Sequence, residues 1–96
     1  MFELRFHKNV DKELKNIPTA VRRRIKNHYF AILAEKPNTA GKALSGGLSR
    51  FWRLDFKMMK TEYRIACEIV DDENAVSILI MGERESFYER LRRRLL

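Results

Sequence analysis

Phe51-Trp52-Arg53-Leu54-Asp55-Phe56-Lys57 is the stretch on which the fold turns. Trp52, Leu54 and Phe56 alternate with Arg53, Asp55 and Lys57, the two-residue period of a strand with one dry and one wet face. After Met58-Met59-Lys60-Thr61, residues Tyr63 to Val70 read as another strand rich in β-formers, and Ala75 to Met81 as a further one. Asp71 to Asn74 is a polar turn between them. Strands joined by such short connections form an antiparallel meander.

Toward the amino end, Phe2, Leu4 and Phe6 alternate with Glu3, Arg5 and His7, so a strand opens the sheet. Asn9 stands where a cap would start a short helix carrying Val10, Leu14 and Ile17. Pro18 ends that helix and suits the first turn of the next. Val21, Ile25, His28, Tyr29, Ile32 and Leu33 then recur every three or four residues, which predicts an amphipathic helix from Thr19 to about Glu35. Pro37 stops it. Asn38 to Ser49, with Gly41, Gly46 and Gly47, reads as a loop anchored by Leu44 and Leu48. Toward the carboxyl end, Ser86 and Glu89 have capping-box spacing ahead of Tyr88, Leu91 and Leu95, so the chain closes on a short basic helix. The order β-α-α-β-β-β-α is an α+β plan: an antiparallel curved sheet with the helices packed on one side.

At 96 residues, 45% apolar and 34% charged, the chain reads as one domain over residues 1–96, because separate cores need longer chains. Its charge of +7 lies wholly in residues 1–50, which hold 11 basic and 4 acidic groups; residues 51–96 hold 9 of each. That excess favours an anionic partner, nucleic acid first and an acidic protein second. A lone Cys67 cannot bridge internally, and His7 and His28 have no zinc-site spacing. The cytoplasm is therefore expected, with no metal and no cofactor. No apolar run nears the ~20 residues that cross a bilayer, so no membrane partner is expected.

Three short sequences carry a resemblance: Trp52-Arg53-Leu54, Tyr63-Arg64-Ile65, and Gly82-Glu83-Arg84-Glu85 followed by Tyr88. With Lys42-Ala43-Leu44-Ser45-Gly46 ahead of the sheet, their order and spacing resemble the RelE/ParE superfamily of toxins from bacterial and archaeal toxin–antitoxin pairs. The likeness covers nearly the whole chain. Members resembling RelE enter the ribosome and cut messenger RNA; those resembling ParE poison DNA gyrase on the same fold. The resemblance thus implies a RelE-like toxin domain of a type II pair. Its activity would be that of a metal-independent mRNA endoribonuclease acting on the ribosome, in contact with rRNA. A cognate antitoxin would silence it within a hetero-oligomer. A gyrase inhibitor, or an inactive relative that only co-represses transcription with its antitoxin, stays open, because fold alone does not fix activity.

Metal-free RNA cleavage needs a 2′-hydroxyl oriented toward the adjacent phosphorus, cations for the extra negative charge, and a proton for the departing 5′-oxygen. Guanidinium groups suit the charge, since they stay protonated and match phosphate oxygens in pairs. Arg53 and Arg64 alternate away from Trp52, Tyr63 and Ile65, and Arg84 follows the last strand, so the three are candidates to surround one phosphate. Tyr88 is the candidate for base stacking and proton transfer. Glu83 stands where some relatives carry a histidine and is the candidate base. Asp55 stands where several RNA-cutting relatives carry a basic residue. Lys57, Lys60, Arg22, Arg23 and Lys26 are candidate RNA contacts, and the run Arg90 to Arg94 with Leu95 and Leu96 suits an acidic partner. Each group also has a plainer reading. Arg53, Asp55 and Lys57 fit the wet face of a sheet, Tyr88 fits an apolar helix stripe, and Glu83 and Glu85 fit surface ion pairs. Trp52 and Cys67 are assigned to the interior.

Overall fold

In the computed structural model, which describes residues 1–44 and 50–96, the chain begins with β1 (Glu3–Phe6) and α1 (Val10–Lys15). A helical rod follows, made of α2 (Thr19–Arg24), a π turn (Ile25–Tyr29) and α3 (Phe30–Glu35). Then come α4 (Pro37–Ala40), β2 (Lys42–Ala43), β3 (Phe51–Met58), β4 (Thr61–Val70), β5 (Ala75–Glu83) and α5 (Phe87–Leu95). Gly46, Gly47 and Leu48 of the expected loop lie outside the described residues; Leu44 is buried as expected.

The strands form one sheet in the order β1-β5-β4-β3-β2. β3, β4 and β5 make the antiparallel meander, but β1 runs parallel to β5, so the sheet is mixed rather than antiparallel. Parallel pairing needs a long crossover, which the helices after β1 supply. Two residues, Met59 and Lys60, turn β3 into β4, both in the left-handed region (φ 54° and 66°), where the turn's twist matches the strands. Two short elements stand within the described part of the loop expected before the sheet. Pro37 opens α4 instead of only ending a helix, and β2 pairs with Trp52 and Arg53.

Each face of the sheet has its own core. Leu54, Phe56, Tyr63, Ile65, Cys67, Val76, Ile78 and Met81 meet Val10, Leu14, Val21, Ile25, Phe30 and Leu33. On the other face, Phe51, Ala66 and Ile80 meet Phe87 and Leu91 of α5, with Leu44. The helices therefore cover both faces, which corrects the one-sided packing expected from the sequence. A bulge makes this possible: Cys67 pairs with Ile78 and Ala66 with Ile80, so Leu79 is an extra residue in β5. It turns Ile80 toward α5 and returns Met81 to the first core.

The π turn has a similar effect in the rod. Beyond it the buried positions are Phe30, Leu33 and Ala34, whereas strict α-helical spacing predicts Tyr29, Ile32 and Leu33. The wider turn shifts the stripe by one residue. It leaves Tyr29 half-buried, stacked on Phe56 with centroids 4.1 Å apart. Neither expected cap forms through its side chain. Asn9 instead donates its backbone N–H to His7 Nδ1, and Ser86 takes a left-handed conformation. Among the described residues, no helix is long and apolar enough to cross a membrane.

Candidate functional site

Alternation along β3 puts Arg53, Asp55 and Lys57 on the face that α5 covers, and alternation along β4 puts Arg64 there too, because their neighbours Leu54, Phe56 and Ile65 belong to the opposite core. Register fixes the spacing. Asp55 lies directly across from Arg64, and Arg53 from Ala66. Asp55 pairs with Arg53 Nε at 3.4 Å and Arg64 Nε at 3.3 Å, bridging the two strands. Phe87 and Leu91 fix α5 in the second core, and Tyr88 therefore projects beside them, 37% exposed rather than part of the apolar stripe. Its hydroxyl oxygen accepts a hydrogen bond from Arg53, and the Arg64 guanidinium lies over its ring, 5.2 Å from the centroid. A cation on a ring face is held by the ring quadrupole. Three of the expected residues thus meet at one surface, with Asp55 as an unassigned fourth.

Arg84 is beside them but engaged elsewhere. It donates to Glu62 Oε2 at 2.8 Å, and its backbone N–H donates to the Glu62 carbonyl. That hydrogen bond holds the Glu62 carboxyl below its usual range and raises the Arg84 guanidinium above its own. Asp55, Lys57, Glu62, Arg64 and Arg84 line one open cleft. Lys60 lies in the adjoining groove with Glu83 and Glu85. Glu83 is cross-strand from Tyr63, and its side chain also borders the groove beside α1, with Asn16 and Pro18. The structure does not bring it to the Arg53–Arg64 pair, and the carboxylates found near the arginines are Asp55 and Glu62. Both were legible in principle: a two-residue turn at Met59-Lys60 places Asp55 opposite Arg64 and Lys57 opposite Glu62. Arg22, Arg23 and Lys26 belong to the rod on the other face, where Arg23 lines a groove with His28 and Met58, so they are not part of this cluster. Cys67 is buried, and burial pushes its thiol up to about 12, the inert state of a core cysteine.

A family model for the ParE-like toxin of type II bacterial toxin–antitoxin systems matches residues 4–92. The chain belongs to this family. Among solved structures, the toxin resembles the RelBE2 toxin–antitoxin complex of Mycobacterium tuberculosis at 24% identity, covering 86% of this chain and 98% of that one, with a TM-score of 0.76. It also resembles a doubly substituted Escherichia coli RelE in the free state, at 21% identity over 99% and 98% of the two chains with a TM-score of 0.74. The archaeal RelE–RelB complex of Pyrococcus horikoshii matches at 20% identity, over 88% and 96%, with a TM-score of 0.63. At these identities the likeness shows the fold. No curated protein sequence matches the toxin.

The other flank of α5 anchors it. In the toxin β1 ends opposite Ile78, and beyond that point side chains take the place of a strand along β5. Glu13 of α1 accepts the Met81 N–H at 3.2 Å, Arg94 donates to the Leu79 carbonyl at 2.9 Å, and Arg90 donates to the Met81 carbonyl at 3.2 Å. Arg90 and Arg94 also pair with Glu13 at 3.4 Å and 2.9 Å. Gly82 lets Arg90 in: its φ is 156°, and a Cβ there would lie 2.7 Å from the guanidinium. Half of the terminal basic run is therefore internal structure, and Leu95 packs on the second core instead of standing free. Leu96 is exposed as expected.

Proposed function

We propose that the chain is a RelE-like ribonuclease toxin, a metal-independent enzyme of the cytoplasm that cleaves messenger RNA on the ribosome and is held silent by a cognate antitoxin. The observation that carries this reading is the meeting of Arg53, Arg64 and Tyr88 on one open surface. The 2′-hydroxyl gives its proton to water as its oxygen attacks phosphorus, forming a 2′,3′-cyclic phosphate as the bond to the 5′-oxygen breaks, and water reprotonates Tyr88 after the leaving oxygen has taken its proton. Arg53 and Arg64 bind the non-bridging oxygens and stabilise the added charge. Tyr88 stacks on a neighbouring base, and its hydroxyl, already in contact with Arg53, supplies the proton to the leaving 5′-oxygen. Lys57 and Arg84 hold flanking phosphates. Glu83 takes no part in this scheme; Asp55 and Glu62 are the carboxylates paired with these arginines.

Membership in a ParE-like family supports a second reading, a gyrase inhibitor in which the same surface binds protein. Cell-free translation separates the two. The ribonuclease leaves truncated messages, and Arg53→Ala lowers the cleavage rate ~100-fold or more, the usual cost of losing one donor to a developing oxyanion. Intact messages together with blocked gyrase supercoiling favour the second. Full cleavage by both Arg84→Ala and Tyr88→Phe would remove the proposed site.

A further inference from the structure

Both guanidinium groups of the cleft, and Arg53 beside it, already hold a carboxylate: Asp55 serves Arg53 and Arg64, and Glu62 serves Arg84. Both Asp55 contacts are ion pairs to a guanidinium Nε, at 3.4 and 3.3 Å, which leaves the guanidinium donors open to a phosphate oxygen. We infer that Asp55 is a resident anion: its carboxylate fills the seat between Arg53 and Arg64 that a phosphate takes, so the cleft binds phosphate by exchange and admits a polynucleotide strand while rejecting lone monophosphates. This names what the proposed ribonuclease site selects and rests on that reading for the identity of the strand.

The competition follows from geometry. Asp55 faces Arg64 across the β3–β4 ladder and shares a strand face with Arg53, so its carboxylate is presented to both without diffusing. A group tethered this closely acts at an effective concentration of order mM or higher, and a dilute monophosphate loses to it. A strand has more than one point of attachment. Lys57 and Arg84 line one cleft with Arg64 and Asp55, so a strand with one phosphate at Arg64 has further cations for its neighbours, and several contacts made together overcome one tethered rival. Asp55 is 44% exposed, so its carboxylate recovers water on leaving, and the incoming phosphate replaces it beside Arg64, which is only 12% exposed.

Calorimetric titration tests this with three probes: inorganic phosphate, uridine 3′-monophosphate, and a short RNA blocked against cleavage by 2′-O-methyl groups. The wild type binds the RNA and takes up neither small anion at mM concentration. Asp55→Asn binds both small anions about tenfold or more tightly, while its affinity for RNA rises only a few-fold. Asp72→Asn, in the exposed turn before β5, makes the same change in net charge and behaves as wild type. Unchanged or weaker small-anion binding by Asp55→Asn overturns the inference, as does an equal gain in Asp72→Asn. Asp55→Ser repeats the test with a smaller side chain should the first variant misfold. Gained phosphate binding in a toxin that leaves messages intact would sink the ribonuclease reading and spare this one.

Discussion

Glu13 holds Arg90 and Arg94 on one flank of α5, and Asp55 holds Arg53 and Arg64 on the other. The composition is the same and the arginines are similarly covered; the carboxylates differ in exposure and in what else they hold. The Glu13 side chain is 12% exposed, and its cluster also satisfies the Met81 N–H and the carbonyls of Leu79 and Met81. Asp55 is open to water and, among the described residues, takes no backbone partner; one of its arginines turns instead to a tyrosine hydroxyl. One carboxylate between two arginines is therefore structural where the backbone consumes its donors, and available for ligands where donors and water access remain.

The contrast can be broken by mutation. Glu13→Ala leaves two cations and a backbone N–H near the sheet edge without their acceptor and destabilises the fold by about 3 kcal/mol, read from the denaturant midpoint. Arg94→Met keeps the packing of the stem but strips the Leu79 carbonyl of its donor, costing about 1 to 2 kcal/mol in the same assay. Asp55→Asn stays within about 1 kcal/mol of wild type, because Asp55 is itself open to water and asparagine keeps an oxygen beside both arginines; a loss as large as that of Glu13→Ala would make both clusters structural. The smallest effect sharpens the contrast at Glu62. Its carboxyl, lowered by the Arg84 hydrogen bond, titrates below the ordinary 4.5 in an NMR pH series, and Arg84→Ala moves the midpoint back up. Because the folded value is the lower one, the pair's contribution is present above pH ~4.5 and disappears as pH falls through the folded midpoint.

What was readable in the sequence, and what was not, divides along the same line. The alternation of Trp52, Leu54 and Phe56 assigned Arg53 to the correct face, and Tyr63 and Ile65 did so for Arg64, because strand period alone carries that information. Period could not reveal the extra residue at Leu79 or the π turn at Ile25–Tyr29, each of which shifts a buried stripe by one position. Nor could it place α5 on the second face or set β1 parallel to β5, since both depend on contacts distant in sequence. Glu83 looked suitable because some relatives carry a histidine there, yet it lies cross-strand from Tyr63, whose side chain belongs to the first core and not to the Arg53–Arg64 face. Asp55 stood out in the sequence only as a departure from relatives; its place opposite Arg64 became visible once the Met59-Lys60 turn fixed which residues face each other.

The side chains that stand in for a strand beyond Ile78 also guard against self-association. Bare amide rungs on β5 are a template onto which a neighbouring copy can add its own strand. A toxin clipped within α5, losing Arg90 and Arg94, would retain most of its first core but expose those rungs. It would melt lower, having lost Leu91 from the second core and the partners of Glu13, and it would also form sticky oligomers.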